Sequence, residues 1–389
     1  MEPTTFLSDE FGVVRYDETE TQHWFDPNPL PRDLELASET QIALSRADSA
    51  LGRLDGVASL LSNPDLISRP YAAREAVASS RIEGTYATIS NVYESEAGKV
   101  LAFADAVRLV EAYRIALSEG LAEVSDQPLT LDVLLSAHRK LLRDAPEADH
   151  AGAWRKQSVW VGAPTDRPET AVYIPPHADR VPELMEEWLE WHRSAPRLPL
   201  LVRVALLHYQ FLTIHPFQDG NGRVGRMLIQ MILEEEHALS APLLYVSAYF
   251  ANRRREYYDR LQDVRQRGEI QEWLQFFLTA VEVQANDGVD RAVRLMNLRE
   301  RYRTELSGTR SRATDLVDML FQNPVVSSKQ VQEGLEVTNQ GALNLLRGLE
   351  ERGWLRSVDV QGRGSRRFWI APEIVGLIDD ESELDVTVG

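Results

Sequence analysis

The chain has 389 residues, with 42 Lys+Arg against 60 Asp+Glu and a formal net charge of −18 at pH 7. Its lack of cysteine excludes disulfides, thiolate catalysis and cysteine-ligated zinc, and its acidic surplus disfavours nonspecific nucleic-acid binding. The length suits two or three domains with a sizeable core; with no apolar run of spanning length and no apolar leader in the first 33 positions, a soluble cytoplasmic protein with no membrane partner is expected.

Residues 1–30 read as irregular, with Pro27, Pro29 and Pro31 punctuating the approach to the first helix. From 33 to 63, Leu34, Ile42, Leu44, Leu51, Leu54, Leu60 and Leu61 recur among charges at helical spacing. Helices are predicted over 70–82, 91–119 and 131–143, the last capped by Thr130. Gly84 sits where the 70–82 helix should stop, and Ser79 and Glu83, four apart, share one helical face. Residues 153–162 alternate into Val159, Trp160 and Val161 and turn through Gly162, Ala163 and Pro164; a return strand over 171–176 completes a hairpin.

Residues 198–214 carry Leu200, Leu201, Val204, Leu207, Phe211 and Ile214 and are apolar almost all round, as are 227–233. Helices without a polar face belong in the middle of a core. His208 on the first of them reads as a buried, satisfied histidine. Helices over 254–267 and 271–304 complete an α-rich body, with Arg253, Arg254 and Arg255 on a solvated face.

Near Ser307-Gly308-Thr309 the character changes. Helices are predicted over 313–321, from the Ser327-Ser328 cap to Gly334, and over 340–352 behind Thr338-Asn339. Two strands, 354–360 and 366–370, flank a Gly-Arg-Gly turn. Three helices and a hairpin make a winged helix-turn-helix, followed by an acidic tail over 379–389. Residues 310–370 hold nine Lys/Arg and seven Asp/Glu, a net of +2. Arg363, Arg366 and Arg367 on the wing, with Arg347 and Arg352 on the third helix, form a candidate DNA surface; docking to protein is the equal alternative.

The chemistry concentrates in His215-Pro-Phe-Gln-Asp219-Gly220-Asn221-Gly222-Arg223-Val224-Gly225-Arg226, between the two buried helices. Glycines let the main chain approach an anion and turn its N–H groups toward it. A helix starting near Gly220–Gly222 adds a positive end. Asp219 can hold a hard divalent cation through oxygen, Arg223 and Arg226 can neutralise phosphate oxygens, and His215 can move a proton near neutral pH. The segment reads as a nucleotide triphosphate site; a plain glycine-rich turn has no use for this set.

Residues 215–226 resemble, without a departure, the His-Pro-Phe-x-Asp-Gly-Asn-Gly-Arg-x-x-Arg signature of the Fic (filamentation induced by cAMP) adenylyltransferases. The resemblance covers most of residues 30–280. It implies a mainly all-α fold: a Fic helical core with a β-hairpin flap, here joined to the C-terminal winged helix. It implies transfer of AMP from ATP to a Ser, Thr or Tyr hydroxyl of a target protein, the protein itself included. His215 would be the general base. Asp219 would hold Mg²⁺ (or Mn²⁺). Gly220, Asn221, Gly222 and neighbours Val224 and Gly225 would form the phosphate nest, and Arg223 and Arg226 would meet the β- and γ-phosphates. The related Doc-type kinases carry lysine where this chain has Gly222, so the adenylylating orientation is favoured.

Ser79-Ser-Arg-Ile-Glu83-Gly84 matches the same family's inhibitory pattern, in which Glu83 would reach Arg226 and displace the γ-phosphate. Val159, Trp160, Val161 and Gly162 correspond to the flap that binds an extended target segment, and Tyr257 and Tyr258 to the region of the adenine. The expected organisation is an inhibitory N-terminal region over 1–110, with its helix at about 70–84, a catalytic domain over 111–304, a winged helix over 305–378 and the tail. A Doc-like kinase, another nucleotidyl-transferring or AMP-removing enzyme, and a nucleotide-sensing DNA-binding regulator are the alternatives. The target and oligomeric state, a homodimer included, stay open.

Overall fold

The computed structural model describes residues 1–18, 20–61, 63–97, 104–162, 170–194, 197–308, 312–359 and 367–379. The chain opens with strands β1 (Gly12–Asp17) and β2 (Gln22–Pro27), followed by helices α1 (Ser38–Ser59), α2 (Asp65–Ile82), α3 (Ile89–Glu96), α4 (Ala104–Asp126) and α5 (Leu131–Leu141). Next come α6 (Val181–Arg193), α7 (Leu200–Ile214), α8 (Asn221–Glu235), α9 (Ser247–Asn252), α10 (Arg254–Arg267) and α11 (Ile270–Glu305). The C-terminal part holds α12 (Ala313–Gln322), β3 (Val325–Ser327), α13 (Ser328–Gly334), α14 (Asn339–Glu351), β4 (Arg356–Asp359), β5 (Arg367–Ile370) and α15 (Pro372–Asp379). The expected mainly α-helical class is borne out. No helix among the described residues is long and apolar enough to cross a membrane.

The chain divides into two compact units, the first comprising residues 1–52, 115–238 and 249–283, the second 53–114, 239–248 and 284–389. In the first, α7 and α8 form the centre. Val202, Val204, Leu206, Leu207, Phe211, Ile214, Val224, Met227 and Leu228 are all 0% exposed. Fully burying one such side chain is worth about 1.5–3 kcal/mol before chain entropy is set against it. A Cβ on Gly225 would stand 3.0 Å from Leu212 Cδ2, so glycine there sets how closely α8 approaches α7. Helix α6 adds an apolar face of Leu184, Met185, Trp188, Leu189 and Trp191, and Trp188 Nε1 donates to the Leu207 carbonyl at 3.0 Å.

Two expectations need correction here. Residues 1–30 are not irregular throughout: β1 and β2 pair antiparallel from Gly12↔Pro27 to Asp17↔Gln22. What holds this hairpin is Trp24 and Phe25, which pack with Met1, Ala171, Tyr173 and Ile174, while Phe25 N–H donates to the Ile174 carbonyl at 2.9 Å. The long helix expected over 91–119 is two helices, α3 ending before its C-cap Ala97 and α4 starting at Ala104.

In the second unit α2 is buried along most of its length and starts at Asp65, five residues ahead of the expected start, with Pro70 inside it. It packs against α3, α12 and α15. A buried ion network ties it to α11: Arg74 Nη1 lies 2.6 Å from Asp287 Oδ2, and Arg291 Nε donates to Asp287 Oδ1 at 2.9 Å. Glu75, also buried, accepts from Tyr113 Oη at 3.0 Å and from Ser247 N–H at 3.1 Å. Burying these charges is tolerable because each has an opposite charge or several donors.

The winged helix is present as expected. Ser327 and Gln330 form a reciprocal capping box on α13, and Thr338 Oγ1 accepts from Gly341 N–H at the start of α14. The sheet order is β3-β5-β4, antiparallel throughout, with Val326↔Trp369 and Val358↔Phe368 opposite one another. Strand β3 and helix α15 add to the expected three helices and hairpin. The wing residues Arg363 and Arg366, and the tail beyond Asp379, lie outside the described residues.

Candidate active site

Helix α7 ends at Ile214, and His215 turns the chain with φ 53° and ψ 59°, the left-handed region. A non-glycine residue there costs roughly 1–2 kcal/mol and persists only where its surroundings hold it. Arg155 does much of the holding. Its Nε donates to the His215 carbonyl at 2.8 Å, and its own N–H donates to the Pro216 carbonyl at 2.9 Å.

The loop beyond is closed from within and from α5. Asn221 accepts from Phe217 N–H through Oδ1 and donates from Nδ2 to the Phe217 carbonyl, both at 2.8 Å. Its side chain therefore serves the turn, leaving only its main chain to face a ligand. His138 stacks on Phe217 with ring centroids 3.7 Å apart. Gly152 N–H donates to its Nδ1 at 2.9 Å, so the proton is on Nε2, which donates to the Asp219 carbonyl at 2.9 Å. This neutral tautomer agrees with burial, which pushes the His138 pKa down to about 4.

Gly220 has φ 82°, and a Cβ there would approach Leu141 Cδ2 to 3.3 Å and His138 Cδ2 to 3.4 Å. It is the N-cap of α8 and provides no side-chain capping bond. The first intrahelical bond runs from Val224 N–H to the Gly220 carbonyl at 2.9 Å. The N–H groups of Asn221, Gly222 and Arg223 thus precede the helical ladder, at the positive end of α8. Arg223 Nη2 donates to Asp219 Oδ2 at 2.5 Å. Arg226 is 1% exposed, deep among the core residues of α8. The motif thereby places one half-exposed carboxylate, two arginines and a helix N-terminus one turn beyond a histidine. Mg²⁺ is commonly bound through one or two carboxylates plus substrate phosphates, and Asp219 with a nucleotide fits that donor set.

The other predicted residues divide. Val161 and Tyr173 form an antiparallel bridge, with Val161 N–H donating to the Tyr173 carbonyl at 2.8 Å. Among the described residues the expected hairpin is this bridge alone; Val159 is buried, Trp160 is 47% exposed, Gly162 is exposed, and Ala163 and Pro164 lie outside. Tyr173 Oη donates to the Thr213 carbonyl at 2.6 Å, fastening this segment to the end of α7. Tyr257 is fully buried, with its ring on Phe250 and its hydroxyl on His208 Nε2 at 2.9 Å, while Tyr258 keeps 37% of its surface. His208 is the satisfied core histidine expected: its Nδ1 lies 2.8 Å from the Gly225 carbonyl, and burial pushes its pKa down to about 3. In the second unit, Glu83 is the exposed C-cap of α2, Gly84 follows at φ 85°, and Ser79 is 0% exposed.

Sequence reasoning missed Arg155 and His138. Both act on main-chain carbonyls, so no pairing of side-chain types reveals them. The Gly152-Ala-Trp154-Arg155 run, just ahead of the alternating Val159, Trp160 and Val161, was the available signal.

The model of the Fic/DOC family matches residues 128–233, that of the Fic/DOC family N-terminal region matches 42–122, and an HTH DNA binding domain model matches 314–370. Over 157 residues the chain is 32% identical to the Protein adenylyltransferase Fic of Culex quinquefasciatus, covering 40% of this chain and 28% of that protein. The relative of the same name in Nematostella vectensis is 28% identical over 189 residues, 48% of this chain and 38% of that one. The chain thus spans well under half the length of these curated relatives. Among solved structures, a Fic family protein from Desulfovibrio desulfuricans G20 superposes with a TM-score of 0.57 at 24% identity, covering 86% of this chain and 96% of that one. Fic-1 (aa134–508) from C. elegans gives 0.53 at 21% identity, covering 67% and 74%. Two adjoining family matches and the signature at residues 215–226 thus make residues 42–122 and 128–233 similar to the Fic/DOC family, and the solved structures share its fold.

Proposed function

We propose that the protein is an adenylyltransferase that moves AMP from ATP to a Ser, Thr or Tyr hydroxyl of a target protein in the cytoplasm. The observation that carries this reading is the left-handed His215 followed by a short loop bearing Asp219 and then by the uncapped start of α8, with Arg223 and Arg226 on that helix. His215 takes the hydroxyl proton as the oxygen attacks the α-phosphorus. The bond from that phosphorus to the α–β bridging oxygen breaks, and pyrophosphate leaves. Main-chain N–H groups of 221–223 and the two guanidiniums neutralise the phosphate oxygens where charge builds up. Bound through Asp219, Mg²⁺ supplies further charge neutralisation on the phosphates. Tyr258, which keeps 37% of its surface, meets the base, and the 159–162 segment, with Trp160 exposed, takes an extended target segment.

Glu83, at the C-cap of α2, restrains the site by competing with the γ-phosphate for Arg226. ATP labelled separately at the α and γ positions tests the reaction. Label from the α position on protein supports adenylylation; label from the γ position makes the chain a kinase.

The exposed Arg347, Arg352 and Arg356 on and after α14 favour a second role, contact with DNA through the winged helix. Duplex binding by the full chain that weakens steeply with salt supports it, and binding without salt dependence removes it.

A further inference from the structure

Arg155 is 4% exposed, and its side-chain hydrogen bonds among the described residues go only to main-chain carbonyls. Its Nε donates to His215 at 2.8 Å, its Nη1 to Gln157 at 3.2 Å, and its Nη2 to Pro176 and, at 3.4 Å, to Ile214. These carbonyls belong to three stretches of chain: the end of α7, the segment leading to Val161, and the segment leaving Tyr173. A buried guanidinium that makes no ion pair among the described residues is expensive, and main-chain oxygens offset that cost only if they are held in its plane.

We propose that Arg155 is a positioning residue for His215, holding the left-handed main chain at 215 and coupling it to the stretches 157–162 and 170–176. The proposal rests on the reading of His215 as the base. It adds that the imidazole takes its working place only when the segment that receives the target is seated. Arg155 touches no reacting atom in this account. Lysine, a point donor on a flexible stem, can serve one or two of these carbonyls but not the planar set.

The test uses the full chain carrying Glu83→Gly, with Arg155→Met and Arg155→Lys, each also combined with His215→Ala. Transfer is read as α label on protein, and ATP affinity by calorimetry. Arg155→Met is expected to lower transfer about 100-fold with ATP affinity kept, and Arg155→Lys to recover part of the loss. In the His215→Ala background Arg155→Met should add no further loss, because the two act as one unit. An Arg155→Met protein that keeps the parent rate, or loses rate and ATP affinity in proportion, overturns the proposal.

A readout independent of activity accompanies it: the ring resonances of labelled histidine, assigned by His215→Ala. Arg155→Met, or Arg155→Lys if the methionine variant does not fold, should shift the His215 signals and their titration while leaving those of His208 in place. Unmoved His215 signals overturn the positioning role even if transfer is lost. Moved signals where the Glu83→Gly parent itself transfers no α label leave the positioning intact and remove the reading of His215 as a base.

Discussion

Arg223 reaches back one helical turn and donates to the carboxylate of Asp219 at 2.5 Å, with side-chain exposures of 9% and 47%. The pair spans the left-handed Gly220, so the carboxylate proposed for the cation and a guanidinium proposed for phosphate are aligned by each other. A cation on Asp219 has to share that carboxylate with Arg223, which links metal and phosphate binding electrostatically. Asp219→Asn keeps the shape and removes the charge. Labelling from α-labelled ATP should fall at least 100-fold, and thermal melts should show a loss of about 1–3 kcal/mol, because a buried guanidinium loses its anion. Unchanged magnesium dependence of the residual transfer contradicts the role given to Asp219.

Gly220→Ala tests the turn itself. With φ 82° and neighbours at 3.3 and 3.4 Å, an alanine there should cost about 1–2 kcal/mol. It should also weaken ATP binding, since the start of α8 moves with the turn. A melt identical to the parent's is incompatible with a left-handed residue at 220.

Two buried histidines set an acid limit on the first unit. Burial lowers the His138 pKa to about 4 and that of His208 to about 3, against about 6.5 in an unfolded chain. Above pH 6.5 both states hold these rings neutral, and the stabilisation is complete. As the pH falls from 6.5 toward 4 the unfolded chain gains protons that the folded chain refuses, so stability declines and levels off below the folded values. Denaturant titrations at stepped pH should show this decline, and His138→Gln should make it shallower. A His138→Gln profile as steep as the parent's contradicts the neutral assignment.

The 215–226 segment was legible because its chemistry is local: a dozen adjacent residues carry every type that phosphate binding needs. The winged helix was legible through Ser327 and Thr338, whose caps are read from neighbours three residues away. The β1–β2 hairpin was not, because charged residues between Asp17 and Gln22 and the proline spacing mask the pairing of Val14 with Phe25 on the inner face. Its stability comes from Tyr173 and Ile174, some 150 residues on, which no local pattern reports. Helix α6 carried a readable signal in Leu184, Trp188 and Trp191, whereas the start of α2 ahead of Pro70 runs against proline's usual place in a helix. Arg155 and His138 escaped because a carbonyl partner has no side-chain identity.

Glu83→Gly tests the restraint at the end of α2. Labelling from α-labelled ATP should rise at least tenfold over the unmodified chain, the factor that about 1.4 kcal/mol of relieved competition produces. ATP affinity should rise in step. Equal labelling and equal affinity in the two proteins contradict autoinhibition while leaving the transfer reaction untouched.

The most direct test compares Glu83→Gly with the Glu83→Gly, His215→Ala double variant, incubated with α-labelled ATP and Mg²⁺ and followed by label on protein and by released pyrophosphate. The account predicts α label and matching pyrophosphate from the first, and loss of both from the second with ATP binding retained. Label that persists without His215, or that comes only from the γ position, contradicts it.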